Sequence, residues 1–165
     1  MNAALGVTCS IHWLMLNPDQ ESFIRGKEMG FFSGIKDNYK KSEAAVVVQN
    51  LLEIQAKIGY FGHDPAQSAN ALVQSAWDEK PDIFSGKFGQ RPHKLAVAAI
   101  ALSRGLSLSH QNDPHRMALL ASLGKVLAEA HTNSGFYPFN NLDSTLLEAA
   151  GEVFIEKGNE MGIEM

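Results

Sequence analysis

The stretch "HKLAVAAIALSRG", residues 93–105, constrains the fold more than any other in this chain. Between Leu95 and Leu102 every side chain is apolar, so a helix here has no polar face to give to water. A helix of that kind must be covered on every side, which makes it the centre of a bundle. The sequence therefore predicts a core helix over 94–104 with other helices wrapped around it.

The remaining segments supply those helices. Pro18 opens one over 18–36, with Asp19 and Glu21 in a first turn where the helix dipole favours acids. A second is predicted over 42–58, with Ser42 as its cap, Ala45, Val48, Leu52 and Ile58 along one face, and Gly59 as its end. Asp64 caps a third, with Pro65 at its first position, Gln67 completing a capping-box-like pattern, and Ala69, Leu72, Val73, Ala76 and Trp77 as the buried stripe. After the central helix, Asp113 and Pro114 repeat that opening. The fifth helix is expected to turn Met117, Leu120, Ala121, Gly124 and Leu127 inward. "LDSTLLEAAGEVFIEKG" forms a sixth, closed by Gly158. At the N-terminus, Val7, Cys9, Ile11 and Trp13 alternate with Thr8, Ser10 and His12, the period of a short strand; a helix with Leu5, Cys9, Trp13 and Leu16 on one side is the competing reading. The expected fold is all-α or nearly so: one domain over 1–165, with an apolar segment at 1–16 and a bundle of about six helices over 17–160.

Composition narrows the function. Of the 165 residues 45% are hydrophobic and 19% charged, the latter below the roughly 25% usual in soluble domains, so more of the surface is neutral. A net charge of −4 gives no electrostatic reason to bind phosphate backbones, which disfavours general nucleic-acid binding. Cys9 is the single cysteine, so no intrachain disulfide forms, and a reducing cytoplasmic setting is the simplest reading. The apolar N-terminus lacks a basic leader and is too short to span a bilayer, so no membrane span is expected.

Two features point to recognition. Ser22, Gly26, Gly30 and Gly34 recur every fourth residue and share one side of the first helix, while Ile24, Phe31 and Ile35 gather on the opposite side. Three interior glycines cost on the order of 3 kcal/mol against alanine, so close approach by another segment is expected to offset them. That segment is either the Ala-rich helix 94–104 or a partner, including a second copy. The second feature is aromatic: Phe136, Tyr137 and Phe139 crowd Pro138 in one loop, and Phe84 and Phe88 lie in "DIFSGKF", the other long loop. Each is either a plug beneath the bundle or an exposed contact patch.

The chemistry-bearing residues are sparser. An up-and-down helix order gathers His63, Asp64, His110, Asp113 and His115 at one pole, where imidazoles and carboxylates together could hold a divalent metal and activate water. The His63-Asp64 dipeptide invites comparison with helical metal phosphohydrolases, although no histidine between His12 and His63 supplies an earlier ligand. Asp64 and Asp113 each precede a proline and are equally explained as helix caps. Cys9 as a nucleophile and the Lys87 and Arg91 loop as a phosphate site are weaker still. The leading expectation is a non-enzymatic protein–protein interaction module that uses no cofactor. The alternative is a metal-dependent hydrolase at the His/Asp pole.

Overall fold

The computed structural model describes residues 18–85, 91–133 and 140–165, with the side chains of 18–33 and 133 outside that description. Among the described residues it is all-α. Helix α1 is Pro18–Lys57, α2 Pro65–Glu79, α3 Arg91–Leu108, α4 Arg116–Asn133 and α5 Asn141–Glu160; a 3-10 helix, Pro81–Phe84, follows α2. The strand or helix expected at 7–13 lies outside the described residues. By its contacts the chain divides into Met1–Lys36 and Asp37–Met165. The first unit contributes the N-terminal part of α1, and the second holds the bundle.

Helix α3 is the centre, as its composition requires. Eleven of its side chains are buried, from Pro92 to Leu106. Helices α2, α4 and α5 pack directly on it. The part of α1 in the same unit joins them: Ala44, Val48 and Leu52 are fully buried, and the Lys94 ammonium of α3 pairs with Glu43. Val97, Leu102, Leu106, Leu123 and Val126 form the fully buried middle of the core.

The helix ends follow their local chemistry. Asp64 caps α2, its Oδ1 accepting from Ala66 N at 2.9 Å and Gln67 N at 3.5 Å. Gly59, at φ +83°, closes α1, with Tyr60 N donating to Gln55 O at 2.9 Å. A side chain at that φ would be strained, so glycine is the natural stop.

Four expectations are corrected. The helices predicted over 18–36 and 42–58 are one helix, because no glycine or proline follows Gly34 to break it before Gly59. Among the described residues the α-helices are therefore five, against about six expected. Helix α4 starts at Arg116 rather than Pro114, since Asp113 Oδ1 accepts from His115 N at 2.8 Å within a turn that precedes the helix. Its inward face is Ala118, Leu119, Leu123, Val126 and Ala130, with Met117 and Ala121 exposed. Of the expected stripe, Leu120 is buried, Leu127 packs half-buried against the core, and Gly124 is half-buried against Phe154, 2.9 Å from where its Cβ would stand. Finally, Gly158 lies inside α5 against Met165, and Gly162, at φ +75°, makes the turn that ends the helix.

Candidate functional site

The His/Asp pole is partly assembled. His63, in the loop after α1, and His115, just before α4, bring their rings to 4.3 Å between centroids. Phe61, buried beneath them, meets His115 edge-on at 5.1 Å. The two carboxylates are engaged elsewhere: Asp64 caps α2, and Asp113 holds the turn into α4. His110 is exposed, and its carbonyl accepts from Asp113 N at 3.0 Å. Among the described residues no three His, Cys, Asp or Glu side chains converge as a metal centre needs.

The recognition candidates divide differently. Ser22, Gly26 and Gly30 lie on α1, but their surroundings are outside the described residues. Gly34 is exposed, and a Cβ there meets no described atom within 4 Å. Phe136, Tyr137 and Phe139 lie outside the described residues, as does Phe88. Phe84 is buried and stacks at a tilt on Trp77, with ring centroids 4.6 Å apart. The described half of "DIFSGKF" is thus a plug.

The sequence reading missed a buried polar pair. His93 Nδ1 of α3 lies 2.5 Å from Asp143 Oδ1 of α5, with the side chains 1% and 4% exposed. Local capping places the aspartate: Asn140 accepts from Asp143 N at 2.8 Å and starts α5, leaving the carboxylate in its first turn. The available signal was the Asn140-to-Asp143 spacing, which marks a helix start and says nothing about a partner fifty residues away.

A second ionic group fastens the other end of α5. Arg116 Nη2 lies 3.1 Å from Glu160 Oε2, and Lys157 Nζ lies 2.8 Å from Glu160 Oε1. The hydrogen bond from Lys157, followed by that from Arg116, holds the Glu160 carboxyl below its ordinary value of 4.5. Hydrogen bonds to Glu160 and then Glu156 hold Lys157 above its ordinary 10.5. A depressed carboxylate stabilises fully above its unfolded value and loses that contribution as pH falls through the folded one; the raised lysine loses its contribution only as pH climbs past 10.5. Melting temperature should therefore fall on acidification below pH 4.5 more steeply in the native chain than in Glu160→Gln, which lacks the titrating carboxylate. Parallel melting curves for the two would show that this site does not contribute.

Among the described residues no helix is long and apolar enough to cross a membrane. No family model matches this chain, and no curated protein or solved structure is significantly similar to it.

Proposed function

We propose that this protein is a non-enzymatic interaction module, an adaptor, regulator or inhibitor whose ligand is another protein or a second copy of itself. The observation that carries this reading is the double character of α1. Within Asp37–Lys57, Val48 and Leu52 are fully buried on one side, while Tyr39 and Val46, 57% and 51% exposed, lie two turns apart on the opposite side. A helix that needs only one apolar stripe to dock gains nothing intramolecular from a second. Tyr39 is of the kind that interface hot spots are enriched in, and Val46 adds apolar contact area on the same side. Gly34 is consistent with the same role, since its cost of about 1 kcal/mol against alanine has no compensating contact among the described residues.

Val46→Glu tests the reading. Both Val46 and its replacement face water in the isolated chain, so stability should change by only about 0.5 kcal/mol. Assembly should be lost. Sedimentation over a wide concentration range, with affinity capture from the native host alongside, should show the native chain gaining mass or retaining a partner that the variant releases. If the native chain stays monomeric and both proteins capture the same set, the interaction reading fails. The metal-dependent hydrolase has the His63–His115 contact in its favour, while Asp64 is engaged as the cap of α2 and Asp113 in the turn before α4.

A further inference from the structure

A cleft of about 610 Å³ opens between α1, α3 and α4, apart from the histidine pole. That volume suits a small molecule. Its apolar part is made by Val47, Leu51 and Ile54 of α1, Leu95 of α3 and Ala128 of α4. Leu51 and Leu95 belong to the buried core, while Ile54 is 37% exposed and so presents apolar surface to whatever enters.

The charges around it are uneven. Arg91 is paired with Glu129, and Lys94 with Glu43. Lys125, which also lines the cleft, is exposed and meets no carboxylate among the described residues. Two cations are thus neutralised and one is left over. Asn50, exposed on the α1 wall, adds an amide able to donate a hydrogen bond.

We propose that this cleft binds a small amphipathic monoanion, a carboxylate carrying an unbranched apolar body, with Lys125 meeting the head and Val47, Ile54 and Ala128 covering the tail. A single uncompensated ammonium matches one negative charge. A phosphate dianion would leave a charge unbalanced beside apolar side chains, where that is costly. A neutral hydrocarbon would gain nothing from the ammonium.

Titration of the full chain with octanoate, followed by calorimetry and by amide chemical shifts, tests the site. Octanol and octylammonium serve as tail-matched controls. Octanoate should bind one per chain, shift amides of residues 47–54 and 125–128, and bind about tenfold more tightly than octanol, the scale of one charge-assisted hydrogen bond. Octylammonium should not bind. Lys125→Gln, on an exposed side chain, should fold normally and bring octanoate down to the affinity of octanol. Absence of octanoate binding, equal binding of octanoate and octanol, or an unchanged affinity in Lys125→Gln would each overturn the proposal. Failure here is distinguishable from failure of the interaction reading, because the readout rests on Lys125 of α4, whereas that reading is tested at Val46, which does not line the cleft.

Discussion

Asp143→Ala is expected to lower the unfolding free energy by about 3–5 kcal/mol, the usual loss when one member of a buried ionisable pair is removed. The carboxylate is 4% exposed and its partner His93 1% exposed, so no water replaces the lost acceptor at Nδ1. Asp143 also sits in the first turn of α5, where an acid gains from the helix dipole. That effect amounts to only about 0.3–1 kcal/mol and cannot produce the predicted loss. Asp143→Asn keeps an oxygen at the same place and should lose less. Replacing both members by leucine should recover much of the loss, because a buried polar pair contributes less than the damage its halving causes. Denaturant unfolding with a common slope for all variants provides the measurement. If Asp143→Ala stays within about 1 kcal/mol of the native chain, the helix-dipole effect is the whole role of the Asp143 carboxylate and the α3–α5 pairing is incidental.

What could be read in advance is what is decided within one turn of chain. Residues 95–102 have no polar face, so α3 had to be central whatever surrounded it. Asp64 followed by proline, and Gly59 after a helical run, each carry their own capping chemistry and behave accordingly. The failures come where several local answers are equally good. The polar run "KDNYKK" resembles a break, yet nothing in it forbids a helix, and α1 passes through it. Helix α4 is apolar over so much of its surface that a wheel cannot select its inward side; even the polar Ser122 is fully buried where α4 packs among its neighbours. His93 and Asp143 are invisible for a further reason. Each is a polar residue near a helix start, and only the packing of α3 on α5 makes them partners. Of the histidine pole, the loop positions were legible and the competition for the carboxylates was visible. Both carboxylates accept a backbone N–H in the structure, Asp64 from Ala66 and Asp113 from His115.

Phe84→Ala should cost about 3–5 kcal/mol, comparable with the loss at Asp143 but for an unrelated reason. Phe84 is the largest fully buried side chain among the described residues, and it stands on a four-residue 3-10 helix that has little stability of its own. Contacts among the described residues hold that short element to the bundle. Ile83 is buried beside Phe84, the Phe84 ring packs on Trp77 of α2, and the Lys40 ammonium of α1 donates to the Phe84 carbonyl at 2.8 Å. Removing the ring leaves a cavity and also forfeits an aromatic contact of about 0.5–1.5 kcal/mol. The Lys40 bond survives truncation because it uses only backbone. Phe84→Leu refills most of the space and should cost about 1.5 kcal/mol or less. Tyr60→Ala, on a side chain 55% exposed, should cost about 0.5 kcal/mol or less and serves as the control. A ranking of Ala far above Leu, with Tyr60 near zero, is the signature of a plug that fills volume. Equal and small losses at Phe84 and Tyr60 would mean that "DIFSGKF" packs no more firmly than the surface, and would return it to the class of exposed contact patches.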